Sequence, residues 1–172
     1  MTNLENLTEF VTSTINEISY PGFESRSFKL GLPLEYNNAP TSLFLLALKS
    51  DNIYVQLAAL RWFQEKPNQA FSHQEAIMNF LKSSDEWLRF ESIKTIQKMH
   101  SPKISFAKAI SPLIFDESVF VKQEAIKAIS KIMVKLKSQD NDILASLEKA
   151  ALDKDHEVKR KALKAIRLIK QR

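Results

Sequence analysis

The chain has 172 residues, 44% of them hydrophobic and 26% charged, which suits one globular domain with a real core and excludes a disordered or fibrous protein. No run reaches the roughly 18 apolar residues of a membrane span, the first residues lack a secretory signal pattern, and with no cysteine there is no disulfide or thiolate metal site. The net charge of +5 conceals a polarity, −4 over residues 1–86 and +9 over 87–172. The expectation is therefore a soluble, cytoplasmic protein with no membrane partner, whose basic half either attracts an acidic protein or nucleic acid or only keeps helix exteriors solvated.

Thr2 and Glu5 have the spacing of a capping box, and Leu4, Leu7, Val11, Ile15 and Ile18 then recur at three and four residues, predicting an amphipathic helix to about Tyr20. This helix is expected to cap a helical array. Residues 21–40 hold three prolines, both glycines and no period; Phe23, Phe28, Leu30, Leu32, Leu34 and Tyr36 suit docking on a core. Residues 1–40 are thus read as an N-terminal helix and docking segment of a single domain.

From Thr41 the pattern becomes pairs of helices, with repeats at about 41–67, 72–100, 102–137 and 140–172. The first helices are predicted at Ser42 to Lys49, Ser72 to Lys82 with Ser72 and Glu75 as a capping box, about Lys103 to Phe115 with a kink at Pro112, and Asp142 to Leu152. Pro67 and Pro102 are expected to close second helices. The second helices share one signature: a cap, then an apolar anchor three residues on, a small residue four after the anchor and Leu or Ile after that. The copies are Asn52/Val55/Ala59/Leu60, Asp85/Leu88/Ser92/Ile93, Ser118/Val121/Ala125/Ile126 and Asp155/Val158/Ala162/Leu163, with anchors 33, 33 and 37 residues apart. Self-similarity at such a period predicts an all-α solenoid of about four helix pairs.

Asp153, Asp155, Val158, Lys159 and Ala162 fit a D-x-D-x-x-V-[KR]-x-x-A core, and Asp116, Val121, Lys122 and Ala125 fit it with Ser118 at the second acidic place. This pattern resembles HEAT-like repeats of the phycobilisome-lyase type over about residues 41–172. The resemblance implies a ladder from Asp to Lys or Arg between repeats; Ser83 and Ser50 replace the first Asp, and Gln56 the basic residue, towards the N-terminus. It also implies functions as varied as scaffolding, nucleic-acid binding and service as a bilin-lyase-like or chromophore-chaperone subunit.

At 100° per residue from each anchor, positions 0, +4, +5, +7, +8 and +11 form an apolar arc, such as Val121, Ala125, Ile126, Ala128, Ile129 and Ile132. Position +6, across from it, reads Arg61, Lys94, Lys127 and Lys164; +10 adds Lys98 and Lys131; −1 reads Tyr54, Trp87 and Phe120, with Glu157 breaking the series. These residues are the candidate binding face, expected to line a concave surface. The competing reading is a solvated helix exterior, in which Glu91 with Lys94 and Glu124 with Lys127 only support their helices at i, i+3, and the aromatics pack on neighbouring turns. Trp62 is read as core-edge packing.

His73, His100 and His156 share no ligand spacing, there is no glycine-rich phosphate loop, and no serine has a nucleophile's context. No cofactor or metal is expected, and Asp153 and Asp155 are accounted for by capping. The sequence points to a non-enzymatic scaffold or adaptor that holds another protein, with nucleic-acid binding as the alternative and a homo-oligomer through an uncapped end also open.

Overall fold

The computed structural model describes residues 3–18 and 32–171; residues 19–31, and with them most of the predicted docking segment, lie outside it. The described residues are helical, with no strand. None of their helices is long and apolar enough to cross a membrane. The chain divides into two compact units, Met1–Lys66 and Pro67–Arg172, and the boundary falls between the first and second predicted helix pairs.

In the first unit, α1 (Leu4–Ile18) is capped by Asn3, whose Oδ1 accepts from the Asn6 amide at 2.8 Å; Thr2, on which the predicted capping box rests, lies outside the described residues. Leu7 and Val11, on the predicted stripe, are fully buried. A 3-10 segment, Leu34–Asn38, leads into α2 (Thr41–Ala47), and α3 (Ile53–Gln64) starts at Asn52, whose side chain accepts from the amides of Tyr54 and Val55. The core here is aromatic. Trp62 stacks on Phe44 with centroids 4.2 Å apart and planes 12° off parallel, meets Phe63 edge-on, and donates its Nε1–H to the Tyr36 carbonyl at 2.9 Å. Trp62 is thus core, and Tyr36, buried on it, anchors residues 32–40. Burial also raises the Tyr36 hydroxyl above its ordinary pKa, with the Glu35 charge adding to the shift.

The second unit departs from the predicted helix pairs at its start. The predicted helix from Ser72 to Lys82 does not form as one: α4 (Pro67–Ser72) ends at its expected start, and α5 (Gln74–Met78) and a 3-10 segment, Asn79–Lys82, cover the rest. Pro67 opens α4 as its first residue, where a missing amide costs nothing. Ser72 does not cap; its hydroxyl donates back to the Asn68 carbonyl at 3.1 Å. Next come α6 (Glu86–Lys98), α7 (Ile104–Ile110), a 3-10 segment at Ser111–Phe115, α8 (Val119–Leu136), α9 (Asn141–Ala150) and α10 (His156–Lys170). Pro112 does more than kink a helix, because the α-helix stops at Ile110 and the chain continues as 3-10. Helix α9 starts one residue earlier than predicted, on Asp140, whose carboxylate accepts from the Asp142 and Ile143 amides.

The second helices begin where the signature places them. Asp85 and Asp155 accept from the Leu88 and Val158 amides, both at 2.9 Å. Ser118 holds the N-cap place with its hydroxyl buried and unbonded, while its amide donates to Asp116 Oδ1 at 2.8 Å. All four small +4 residues, Ala59, Ser92, Ala125 and Ala162, have no exposed surface. Helix α8 packs against α6 and α10, and α9 against the 3-10 segment at Ser111–Phe115. The predicted arc of α8, Val121 to Ile132, is buried throughout. Leu163, the +5 residue of α10, departs from the pattern at 52% exposure.

Candidate functional site

Two rungs join successive helix pairs of the second unit. The Arg89 guanidinium takes both oxygens of Asp116, Nε at 2.7 Å and Nη2 at 2.8 Å, and its Nη1 donates to the Ser83 and Ser84 carbonyls at 2.8 and 2.9 Å. The hydrogen bond to Asp116 holds Arg89 above its ordinary pKa, against the opposing effect of burial. Lys122 Nζ meets Asp153 Oδ2 at 2.8 Å. Each carboxylate also receives an amide two residues on, Ser118 or Asp155, so one Asp ties the preceding pair to the turn that opens the next second helix. Gln56, at the equivalent place in α3, donates to the Leu48 and Ser50 carbonyls within its own turn. Lys159 is exposed and pairs with no described residue.

Asp153 makes the second rung sensitive to acid. Lys122 above all, then the Asp155 amide, hold its carboxyl below the usual carboxylate range, despite the opposing effect of burial. A group depressed in the folded state stabilises fully above its unfolded pKa of about 4, and that contribution is lost as pH falls through the lower folded value. Urea melts from neutral to acid pH should therefore show stability falling in that window, and Asp153→Asn should flatten the fall.

The face across from the buried arc differs from a row of free cations. Lys94 reaches Glu91 at 3.1 Å, and Lys127 reaches Glu124 at 2.9 Å; both carboxylates are nearly buried, at 3% and 8% side-chain exposure. Gln97 Nε2 donates to Glu124 at 3.3 Å, and Gln97 Oε1 accepts from Lys131 Nζ at 2.8 Å, so a polar chain bridges α6 and α8. Lys94 and Lys127 thus balance charges buried beneath them. Lys98 is exposed. Towards the C-terminus the balance shifts, because Lys161 Nζ is held by Gln123 at 2.8 Å while Lys164 and Arg167 are exposed and pair with no described residue. Arg160 is bound to Glu157, whose carboxyl this contact holds below its ordinary pKa. Arg61 and Tyr54 belong to the first unit, where Arg61 is half-buried rather than fully outward, and Tyr54 is 47% exposed.

The aromatic positions form a cluster in the second unit. Trp87 stacks on Phe120 across two helices, with centroids 5.9 Å apart and planes 23° off parallel, and takes Phe90 edge-on at 5.8 Å. Lys94 Nζ stands 5.3 Å from the Phe90 centroid. Phe120 remains 38% exposed and Trp87 and Phe90 are half-buried, so the cluster is packed on itself yet presents apolar surface. The residues sequence reasoning misses are Phe90, which recurs in no other copy, Gln97, matched only by Gln64 in the first, and Arg89, whose partner lies in the following repeat.

Among the described residues no group of three His, Cys, Asp or Glu is placed to hold a metal ion. A cleft of about 350 Å³, lined by Lys108, Ser111, Pro112, Phe115, Asp142 and Ile143 among others, lies between α9 and the preceding 3-10 segment. Its one cation, Lys108, is paired with Asp140 at 3.1 Å.

No protein-family model matches the chain. No curated protein matches it either. Among solved structures it is similar to an engineered protein at 20% identity and a TM-score of 0.60, over 76% of this chain and 62% of that one. The chain therefore spans less than two thirds of that neighbour's length, and the likeness shows a common all-helical fold. A second engineered protein aligns over the whole of both chains, at 15% identity and a TM-score of 0.49.

Proposed function

We propose that this protein is a non-enzymatic scaffold or adaptor, a short HEAT-like solenoid whose second helices form a concave face that holds an acidic segment of another protein. The observation that carries this reading is the pairing, within one unit, of the aromatic cluster Trp87, Phe90 and Phe120 with the uncompensated cations Lys164 and Arg167. The rungs and the Lys127–Glu124–Gln97–Lys131 chain support it by fixing the helices that present these groups, so little ordering is left to oppose binding. An acidic segment with an apolar residue near one end has the matching chemistry.

Titration of the protein with a fluorescent Glu-rich peptide carrying one Trp or Leu anchor tests the proposal. Changing Lys164 and Arg167 together to Glu is expected to weaken binding by about tenfold or more, and Trp87→Ala by a similar factor, as for a central aromatic anchor. Binding unaffected by either change would sink it. The same titration with single-stranded DNA and RNA at two salt concentrations tests the alternative, which requires affinity that falls steeply with salt. Glu91 and Glu124, seated beneath Lys94 and Lys127, weigh against a track of phosphates along this face.

A further inference from the structure

One flank of the second helices changes character from α8 to α10. In α8, position +1 is the rung residue Lys122, and Ile126, Ile129 and Met133 at +5, +8 and +12 are buried. In α10 the same offsets read Lys159, Leu163, Ile166 and Lys170. Lys159 has no described partner, Leu163 is 52% exposed, Ile166 is half-buried, and Lys170 reaches back to Glu148 of its own pair at 3.0 Å. The flank thus keeps the apolar stripe and the cation of a stacking surface with nothing described upon it.

We infer that this flank of α10 is a docking surface for an acidic helix pair of a partner protein, which stacks on it as a further repeat and gives Lys159 a carboxylate. The two rungs define what the partner presents. In both, the cation takes an Asp two residues before the N-cap of the next second helix, Asp116 before Ser118 and Asp153 before Asp155. Charge decides against a second copy of this chain on the same flank, because Lys159, which has no carboxylate of its own, would face Lys159 or Lys170 of an identical helix and gain none. This surface is separate from the proposed concave face, and either can fail without the other.

The test uses the full chain and a fluorescein-labelled helix-hairpin peptide with the sequence of residues 138–172, carrying Arg160→Glu, Lys164→Glu and Arg167→Glu to make it acidic. Anisotropy should report saturable binding, weakened about tenfold or more by Lys159→Glu or Leu163→Asp in the protein and by Asp153→Asn in the peptide. Lys135→Glu, the same charge change on α8, should leave it unaltered. Both altered protein positions are exposed, and unchanged circular dichroism confirms that the fold survives. Absence of binding up to millimolar peptide, or binding indifferent to Lys159 and Leu163, overturns the inference. Sedimentation showing a dimer abolished by Leu163→Asp overturns it too, since the occupant is then a second copy.

Discussion

Replacing Arg89 by alanine is expected to destabilise the second unit by about 3–5 kcal/mol, the range for removing one member of a buried ion pair. The side chains of Arg89 and Asp116 are only 7% and 5% exposed. Removing the guanidinium deletes the bidentate contact and leaves the Ser83 and Ser84 carbonyls without that donor. It also strands a carboxylate that keeps the Ser118 amide as its donor. Arg89→Lys keeps a charge but not the planar fork, so it should recover only part of the loss. Arg89→Met with Asp116→Asn should recover more, because no buried charge remains and the Asn oxygen still accepts from Ser118. Urea denaturation followed by circular dichroism reads all three; a loss below about 1 kcal/mol for Arg89→Ala would place the rung with screened surface bridges.

Trp62→Ala should cost the first unit about 3–5 kcal/mol, as for other large aromatic truncations in a core. The indole is 5% exposed and does two things at once. Its faces and edge fill the space between Phe44 and Phe63, and its Nε1–H holds the carbonyl of Tyr36. Trp62→Phe separates the two: most of the stacking survives and the hydrogen bond does not, for a cost nearer about 1 kcal/mol from the bond. Amide exchange at Tyr36 and Ala39, which close the 3-10 turn, should quicken in both variants. Exchange unaltered there would mean that the tryptophan does not anchor residues 32–40.

The second helices were legible because their signature rests on local chemistry. A cap needs a short acceptor before the first turn, and a close helix contact needs a small residue; Asn52, Asp85 and Asp155 supply the first and Ala59, Ser92, Ala125 and Ala162 the second. Ser118 shows the limit, since Asp116 takes up its amide and the hydroxyl is left over. The first helices were harder to read because their apolar stripe is the same whether the backbone runs as one helix or as short α and 3-10 pieces. His73, with φ −116° and ψ 28°, breaks the stripe without a proline or glycine to announce it.

For the candidate site, periodicity gave each cation an angle on its helix but could not give its surroundings. Glu91 and Glu124 are nearly buried, and it is this burial that makes Lys94 and Lys127 balancing charges. Leu163 fails the pattern in burial alone: its equivalents Ile93 and Ile126 in α6 and α8 have almost no exposed surface, whereas Leu163 on α10 is exposed. Arg89 stayed hidden because a rung is a property of two repeats, and Ser83 breaks the motif in its own.

The two rungs also span different lengths of chain. Arg89 and Asp116 are 27 residues apart, and Lys122 and Asp153 are 31 apart, yet the closest contacts are 2.7 and 2.8 Å. The excess of about one helical turn lies in α8, which has 18 residues against 13 in α6 and is stopped by Lys137 in the left-handed region at φ 51°. A repeat of this chain can therefore lengthen by a turn at its far end while the joint to its neighbour keeps its geometry. Insertions and deletions of a turn at that end are the changes in length such a lineage can tolerate, whereas a single residue gained between Lys122 and Val134 would rotate the interface out of register.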